Sequence, residues 1–267
     1  MPELPEIEVL ARRLNERLPG EVIQRVKVYD HLVIHGQPVD HFESAALGES
    51  VRAFRPDGKF ILMELENHEL VVNPMLAGRF RLVQRPRTTI KSDMFSVETE
   101  NYTLWYYDRK RMGRVYLVPK GDYSGIAGFD GRGPSALDQE LTLEVFSQRI
   151  RRHRGQIKNV LRNQRFVKGI GNAYTDEILL YAGILPFRKR SSLSNEEVQR
   201  LYQSMKSVLS RVLEVISDRD IGQLGSERRD FLMIHGRGGG VCPLCGGRVS
   251  EVTANRFKTN YCQTCQK

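Results

Sequence analysis

The spacing of apolar residues changes along the chain and separates a β-rich first half from a helical second half. Over residues 4–18 apolar side chains recur at helical intervals, which predicts an amphipathic helix with one buried face. Short runs rich in Val, Ile, Phe, Tyr and Leu then alternate with turn residues, which predicts a β-sandwich or barrel. The eight runs cover residues 22–29, 50–54, 60–65, 69–72, 79–83, 93–97, 103–107 and 115–118.

A stretch rich in Gly, Ser, Asp and Pro predicts a linker between the two halves, and the pattern beyond it is helical. Ser194 and Glu197 form a candidate capping box for the longest helix. The predicted helices cover residues 140–152, 156–164, 172–182, 195–216 and 228–234. We therefore expect an α+β multidomain protein. Its domains would be an N-terminal β-sandwich with an amphipathic helix (1–123), a linker (124–138), a helical domain (139–236) and a C-terminal module (237–267).

The C-terminal module holds every cysteine of the chain, namely Cys242, Cys245, Cys262 and Cys265. Two CxxC pairs separated by a stretch of hairpin length are typical of a tetrahedral zinc site on a β-hairpin. Four thiolates close the coordination sphere, so we expect one structural Zn²⁺. No cysteine remains for a disulfide framework, and the chain has no apolar leader or membrane-length run. These features predict a cytoplasmic, nucleoid-associated protein.

Positive charge is in excess and is clustered along the chain. There are 41 Lys and Arg residues against 32 Asp and Glu residues, a formal net charge of +9. Basic runs occur at 109–114, 149–154, 162–168 and 188–190. One such run could be a solvated face, whereas several favour a surface that follows a phosphate backbone. The composition thus predicts a nucleic-acid partner.

The N-terminus offers an unusual nucleophile. Proline is small, so we expect removal of Met1, which leaves Pro2 with a secondary amine. An α-amino group has a pKa of roughly 8, so part of it is unprotonated at neutral pH and can attack an electrophilic carbon to form an iminium. Glu3 stands beside it as a candidate acid. An ordinary frayed terminus is the alternative.

Three motifs, in order, resemble those of the formamidopyrimidine-DNA glycosylase/endonuclease VIII family. They are residues 2–6 (Pro-Glu-Leu-Pro-Glu), residues 166–186 with their Lys-Gly-Ile-Gly-Asn turn, and the four-cysteine module. The resemblance implies a helix–two-turn–helix element in the helical domain and a C-terminal zinc finger. It also implies a bifunctional DNA glycosylase and AP lyase of base-excision repair.

The resemblance assigns roles to residues of the first domain. Pro2 would attack C1′ of a flipped, damaged nucleotide, and Glu3 would protonate the sugar oxygen or the departing group. The iminium would then permit β- and δ-elimination. Glu6 would shape the same pocket, unless it serves only as a carboxylate at a helix N-terminus. Lys59 would contact a phosphate near the lesion, unless it is a solvated turn lysine.

In the second half, the resemblance assigns phosphate binding to the turn from Lys168 to Asn172. Its glycines let backbone amides approach a phosphate, and we expect Asn172 to cap the helix that follows; capping alone is the alternative. The family's phosphate-gripping finger arginine stands five residues before the third cysteine, where this chain has Phe257. Arg256 or Lys258 could replace it, and we favour Arg256.

Other positions depart from the family pattern. Leu76 stands where methionine is common, Lys110 where an arginine reads the orphaned cytosine, and Met112 where an aromatic wedge is usual, with Arg111 beside them. Leu and Met can still wedge into a base stack, or they belong to the core. Lysine lacks the planar fork of arginine, so we expect looser opposite-base discrimination. A shortened stretch over 222–237 should also weaken recognition of a flipped purine.

We therefore predict a monomeric base-excision repair DNA glycosylase with AP lyase activity. Its partner would be double-stranded DNA that contains a damaged base or an abasic site. Its preference should have moved away from 8-oxoguanine, and ring-opened purines, oxidised pyrimidines and bulkier adducts stay open. The alternative is a non-catalytic, damage- or structure-specific DNA-binding relative. An RNA- or ribosome-associated protein is a third possibility, but it leaves the β-rich half unexplained.

Overall fold

The structure, a computed structural model, describes residues 1–84, 88–221, 229–254 and 257–267. The chain divides into two compact units. Unit 1 comprises Met1–Gly131 and Ile216–Arg228, and unit 2 comprises Arg132–Val215 and Arg229–Lys267.

The described residues form six α-helices and ten β-strands. The helices are α1 (Leu4–Asn15), α2 (Val39–Ser44), α3 (Leu143–Arg151), α4 (Ile157–Arg162), α5 (Asn172–Ala182) and α6 (Asn195–Ile216). The strands are β1 (Arg25–Val28), β2 (Ala53–Asp57), β3 (Phe60–Glu64), β4 (His68–Asn73), β5 (Gly78–Val83), β6 (Asp93–Glu98), β7 (Thr103–Asp108), β8 (Arg114–Pro119), β9 (Val249–Ala254) and β10 (Phe257–Cys262). None of these helices is both long and apolar enough to cross a membrane.

Unit 1 is the predicted β-sandwich, and each of the eight predicted runs forms a strand. One antiparallel sheet has the order β1-β6-β7-β5, and the other has the order β2-β3-β4-β8. Apolar side chains of both sheets and of α1 share one core, as Ile7, Leu14, Phe54 and Phe95 illustrate. Each such side chain contributes about 1.5–3 kcal/mol when it leaves water. The alternation of apolar and polar residues is therefore what builds the sandwich.

Two parts of unit 1 depart from the simple sandwich pattern. The short helix α2 was not predicted, because six residues give too few turns for a periodic signal and only Phe42 is buried. The stretch predicted as a linker is partly packed, since Ile126 and Phe129 are buried against Phe60 and Tyr116. These aromatic contacts cover the face of the second sheet that points away from the sandwich core.

Unit 2 is helical apart from the β9–β10 hairpin, and α5 and α6 have the predicted bounds. Gly183 ends α5 with a φ of +68°, a left-handed conformation that favours glycine. The predicted capping box starts α6. The amide of Glu197 donates to Ser194 Oγ at 3.3 Å, and the amide of Ser194 donates to Glu197 Oε2 at 2.9 Å.

The predicted helix over 228–234 is wrong for its described part, since residues 229–234 form turns and irregular structure. The carboxylate of Glu177, on α5, accepts hydrogen bonds from the backbone amides of Met233, Ile234 and His235 at 2.8–2.9 Å. Because these amides bond to a side chain, they cannot bond to carbonyls four residues earlier. Glu177, which is more than 50 residues away in sequence, therefore determines the conformation of this segment.

Candidate active site and metal centre

Pro2 lies in a cavity of unit 1. The cavity has a volume of about 20 Å³, and its lining includes Pro2 and Glu6 from the chain start and Pro74, Gly78 and Arg79 from β5 and the loop before it. Pro2 is itself buried. The N-terminus is therefore packed into the unit and not frayed, which is the condition for a terminal amine to act at a defined place.

Glu3 and Glu6 are tied together in the first turn of α1. Glu3 is the N-cap residue, and each side chain accepts a hydrogen bond from the backbone amide of the other residue, with Glu3 N 3.1 Å from Glu6 Oε2. Glu3 is only 1 % exposed. Glu6 is thus both a helix-capping carboxylate and part of the cavity wall, so its two proposed roles are compatible.

Lys59 occupies the tight turn between β2 and β3, after Gly58 with its φ of +65°. The first helix runs along this hairpin, and Asn15 near its end accepts a hydrogen bond from the amide of Phe54, near the start of β2, at 2.6 Å. The end of α1 is therefore anchored to β2, one strand of the hairpin that carries Lys59 at its turn.

Two loops lie side by side at one end of the sandwich. The last residue of β4, Asn73, pairs with Arg114 at the start of β8. The first residue of β5, Gly78, pairs with Asp108 at the end of β7. The β4–β5 loop and the β7–β8 loop are therefore neighbours, and the first of them also forms part of the cavity around Pro2.

The two loops carry the candidate DNA-contact residues of unit 1. Leu76 is 40 % exposed and Met112 is 43 % exposed, so neither is a core residue. Lys110 and Arg111 are exposed as well. The Nε atom of Arg111 lies 2.5 Å from Asp30 Oδ2, and this contact lowers the pKa of Asp30. A DNA contact by Arg111 would have to share or replace that ion pair.

Asp108 fixes the conformation of the β7–β8 loop, and sequence reasoning did not identify it. It is fully buried, and its carboxylate accepts hydrogen bonds from the amides of Lys110, Met112 and Gly113 at 2.7–2.9 Å. Arg111 takes a left-handed φ of +54° within this loop. The carboxylate thus fixes a tight turn that presents the neighbouring side chains to solvent.

Arg79 is a second candidate residue that sequence reasoning missed. It is 8 % exposed, it lines the cavity with Pro2, and its Nη1 donates to the carbonyl of Gly78 at 2.7 Å. The available signal was a positive charge within an apolar strand run. A buried guanidinium beside a cavity favours the binding of an anionic group.

The turn before α5 differs from the expectation in one respect. Gly171 is the N-cap residue, so the prediction that Asn172 caps the helix is wrong. Asn172 is the first helical residue, and its Nδ2 donates to the carbonyl of Lys258 in β10 at 2.8 Å. Its Oδ1 is buried and has no hydrogen-bond partner among the described residues. Lys168, four residues earlier, is half-buried.

The four cysteines converge at the base of the β9–β10 hairpin. Their Sγ atoms all lie within 4.8 Å of one another, with 3.5 Å between Cys245 and Cys262 and 3.8 Å between Cys242 and Cys265. A tetrahedral site with metal–sulfur bonds of about 2.3 Å requires sulfur–sulfur separations of roughly 3.8 Å. The cluster therefore fits a metal ion bound by four thiolates.

A buried polar network joins the hairpin to α4 and α5. Asp176 is fully buried, and its carboxylate contacts Lys158 Nζ at 2.6 Å, His235 Nδ1 at 2.8 Å and the amide of Asn260 at 3.2 Å. The ammonium of Lys158 also donates to Thr259 Oγ1 at 2.8 Å. Both charges thus have opposite charges or polar partners on several sides, which is what allows their burial.

The tip of the hairpin carries the remaining candidates. Arg256, the favoured replacement for the finger arginine, lies outside the described residues. The ammonium of Lys258 lies 2.9 Å from Glu251 Oε1 on β9. Phe257 is 43 % exposed, and the guanidinium carbon of Arg162 lies 3.6 Å from the centre of its ring.

Comparisons with known proteins agree with this architecture. Residues 1–115 match the model of the formamidopyrimidine-DNA glycosylase N-terminal domain, and residues 132–220 match the model of the formamidopyrimidine-DNA glycosylase H2TH domain. A formamidopyrimidine-DNA glycosylase from Listeria innocua is 30 % identical over all of both chains. One from Thermus thermophilus is 34 % identical and covers 100 % of this chain and 98 % of the relative.

Solved structures share the fold. A complex between the Lactococcus lactis protein Fpg and DNA containing an abasic site has a TM-score of 0.90 at 24 % identity and covers 99 % of each chain. The family models and the relatives thus define the class, a base-excision repair DNA glycosylase. Within that class, the chain belongs to the formamidopyrimidine-DNA glycosylase family.

Proposed function

We propose that this chain removes a damaged base from double-stranded DNA through its N-terminal amine and then cleaves the strand as an AP lyase. The observation that carries the proposal is the position of Pro2, which is buried in one cavity with Glu6 and directly precedes the buried Glu3. Amine-mediated excision needs a nucleophile and an acid within one enclosed site.

In the proposed reaction the Pro2 nitrogen attacks C1′ of an extruded nucleotide while the bond from C1′ to the base breaks. Glu3 supplies the proton for the departing base or for the sugar oxygen, and the opened sugar becomes an iminium. The iminium draws electrons from the C2′–H bond. Loss of that proton expels the 3′ phosphate, a second elimination expels the 5′ phosphate, and water releases Pro2. Glu6 shapes the pocket around these steps.

The proposed DNA contacts lie on the loops and turns described above. In unit 1, Lys59 and Lys110 would contact phosphates or bases. Arg111 would also contact them, by sharing its ion pair with Asp30. Leu76 and Met112 would fill the space of the extruded nucleotide. In unit 2, the turn from Lys168 to Asn172 and the tip of the hairpin, with Lys258 and Arg256, would bind the backbone.

The metal that we propose for the four thiolates is one structural Zn²⁺. A closed set of sulfur ligands leaves no position for a substrate, so the ion would stabilise the hairpin and take no part in the chemistry. We also propose the cytoplasmic nucleoid as the place of action. The functional domains would be the β-sandwich of 1–123, the helical domain of 139–236 and the finger of 237–267, joined by 124–138.

Borohydride trapping tests the proposal. Protein confirmed by mass spectrometry to start at Pro2 would be mixed with duplexes that carry an abasic site, 8-oxoguanine, a formamidopyrimidine or an oxidised pyrimidine. We expect a covalent adduct with the abasic duplex, mapped by peptide mass spectrometry to the Pro2 nitrogen. The duplexes with a base would then rank the lesions, with 8-oxoguanine below the best substrate.

Two results would contradict this mechanism. An adduct mapped to a lysine would remove Pro2 from its role. No adduct on any duplex, together with tight binding to abasic DNA, would leave the non-catalytic DNA-binding alternative.

A further inference from the structure

A second cavity of unit 1 lies along β8, the edge strand of the sheet β2-β3-β4-β8. Its volume is about 410 Å³, which is within the size range of small-molecule sites. We call it the edge cavity. It is bounded by the second half of β8, the segment 35–38 before α2, the start of β4 and residues 122–125. Its lining includes His35, Gln37, His68, Tyr116, Leu117 and Asp122.

The edge cavity lies at the end of β8 opposite to the loops proposed to contact DNA. Asn73 pairs with Arg114 at the end of the sheet that carries the β4–β5 and β7–β8 loops, and His68 pairs with Pro119 at the other end. Five steps of about 3.4 Å along β8 separate these ends by roughly 17 Å. No described residue lines both this cavity and the cavity around Pro2. The edge cavity is therefore a separate site.

The backbone of β8 offers a donor and an acceptor to this cavity. The carbonyl of Val115 accepts a hydrogen bond from the amide of His35 at 2.9 Å, so the odd-numbered residues of β8 direct their backbone groups away from β4. The chain leaves the strand at Gly36, whose φ is +83°. The N–H and C=O of Leu117 therefore face the cavity, and neither has a backbone partner outside the sheet among the described residues.

This open edge is too short to pair with another strand. The bridge from Ile34 covers Val115, and β8 ends at Pro119, which has no N–H group. Within this described strand only Leu117 is left between them, whereas strands in proteins usually span three residues or more. An extended peptide would thus find too little backbone to bind. A small planar compound that carries an acceptor beside a donor fits the space.

The walls beside Leu117 are aromatic and carry little charge. The rings of His35 and Tyr116 stack at a centroid distance of 5.5 Å. Burial, together with the nearby charge of Arg114, lowers the pKa of His35, so its ring is neutral at neutral pH. Among the described residues no lysine or arginine lines the cavity, and Asp122 adds a carboxylate. These walls favour a flat, neutral ligand over one that carries a phosphate.

Gln37 supplies a polar group that can adjust to a ligand. Its Nε2 is buried and has no hydrogen-bond partner among the described residues. A buried donor without a partner is unfavourable, and rotation about the last side-chain bond exchanges the nitrogen and the oxygen of the carboxamide. A ligand with a complementary edge atom would therefore give this side chain the partner that it lacks.

We propose that the edge cavity binds a neutral purine, an adenine-like base or nucleoside, through the backbone of Leu117. Adenine carries an amino donor, N6, beside an acceptor ring nitrogen, N7. These two atoms complement the C=O and the N–H of Leu117, while the ring lies against the wall formed by His35 and Tyr116. The proposal goes beyond the proposed function, because it needs neither DNA nor the amine of Pro2.

Titration of the full-length protein with purines, followed by the NMR signals of its backbone amides, tests the proposal. We expect adenine to shift the signals of Leu117 and Val118 with a Kd of roughly 0.1–1 mM, as suits a ligand of this size. Unsubstituted purine lacks the amino donor and should bind about fivefold more weakly. Adenosine should bind about fivefold more tightly than its 5′-monophosphate, because the phosphate meets Asp122 and no cation.

Variants assign the binding to the cavity. An added side chain at Gly125 meets open space, so Gly125→Phe should fill the cavity and abolish the Leu117 shifts, while the matched control Gly125→Ala should bind adenine as wild type does. Gln37→Ala should weaken binding about fivefold, and Gln24→Ala, which alters an exposed glutamine outside the cavity, should not. Melting temperatures show that each variant folds.

Two results would overturn the proposal. Adenine that shifts the amide signals of Glu3 and Glu6 but not those of Leu117 and Val118 would place base binding at the Pro2 cavity. Shifts at Leu117 that persist with wild-type affinity in a folded Gly125→Phe variant would place the ligand outside the edge cavity. Adduct formation with abasic DNA is a separate readout, so neither result affects the proposed function.

Discussion

The β-sandwich of unit 1 and the hairpin of unit 2 are held in place by opposite means. The sandwich buries a continuous apolar core that includes α1 and both sheets. The hairpin packs against a smaller apolar cluster, which includes Leu180, Ile234, Val249 and two of the cysteines. Beside this cluster lie the four grouped cysteines and buried charges, with Asp176 contacting Lys158 and Glu177 contacting three backbone amides.

The two regions should therefore respond differently to substitution. An apolar core tolerates substitutions that keep volume, because dispersion and burial have no preferred direction. A buried ionic network is directional, and the loss of one member leaves its partner uncompensated. The hairpin should therefore be the region where single polar substitutions have the largest effect.

The largest expected effect follows from breaking the network at Lys158. Lys158→Met leaves the Asp176 carboxylate buried without its ammonium, which should destabilise the docked hairpin by about 3–5 kcal/mol. Hydrogen exchange of the β9 and β10 amides measures this local stability. The control Lys206→Met removes an ammonium that donates to the carbonyl of Asp138, and it should cost at most about 1 kcal/mol.

A double variant tests whether the uncompensated charge causes this loss of stability. Lys158→Met/Asp176→Asn removes both charges and keeps an acceptor for the amide of Asn260, so it should recover more than half of the loss. If the double variant is as unstable as the single variant, the uncompensated charge of Asp176 is not the cause of the lost stability.

An intermediate effect is expected where the sandwich is tightly packed around Tyr106. A Cβ atom added to Gly113 would clash with the Tyr106 hydroxyl. Gly113→Ala should therefore destabilise unit 1 by about 1–3 kcal/mol in chemical denaturation. Tyr106→Phe removes the clashing atom and should restore most of that loss.

The hydroxyl of Tyr106 makes this rescue possible. It has no hydrogen-bond partner among the described residues, and burial, with the nearby Asp108 charge, raises its pKa well above the ordinary value. Tyr106→Phe alone should thus be neutral or slightly stabilising. A large loss for Tyr106→Phe would show that the hydroxyl has a role that the packing does not reveal.

The smallest effect concerns the pH dependence of the sandwich. Burial opposes ionisation of Glu49, but hydrogen bonds from the Asn67 and His68 amides and from the His68 ring lower its pKa below the ordinary 4.5. A carboxylate with a lowered pKa stabilises the fold above the pKa of the unfolded chain. That stabilisation disappears as the pH falls through the lower, folded value.

Thermal unfolding of wild type and Glu49→Gln at several pH values measures this contribution. Wild type should be more stable at neutral pH by at most about 1 kcal/mol, and the difference should shrink below pH 4.5. Other carboxylates contribute equally to both proteins and cancel. A constant difference across this range would contradict the role of the Glu49 charge.

Local patterns in the sequence predicted most of the fold. Strand alternation located the eight strands of the sandwich, and helical periodicity with a capping box located α6 within its observed bounds. The two CxxC pairs predicted a cluster that the structure forms. Each of these features depends on residues that are close in sequence, so its signal is contained in a short window.

Interactions between distant residues explain what could not be predicted. The segment 229–234 is not helical because Glu177 binds its amides, and the sequence of the segment does not indicate that partner. Asn172 does not cap α5 because its amide group bonds to the hairpin, whose path is known only in the fold. In the sequence, Arg79 and Asp108 are ordinary residues of strand runs. In the structure, Arg79 lines the cavity of Pro2 and Asp108 binds the amides of the β7–β8 loop.

The capping box at the start of α1 also has a consequence for how this chain can evolve. Glu3 and Glu6 complete the helix end, and Glu6 also lines the cavity of Pro2. Under the proposed mechanism, a mutation at either position would affect both helix capping and the reaction, so few replacements would preserve both. The exposed residues Leu76 and Met112 have no part in this capping box, so substitutions there would leave the helix end intact.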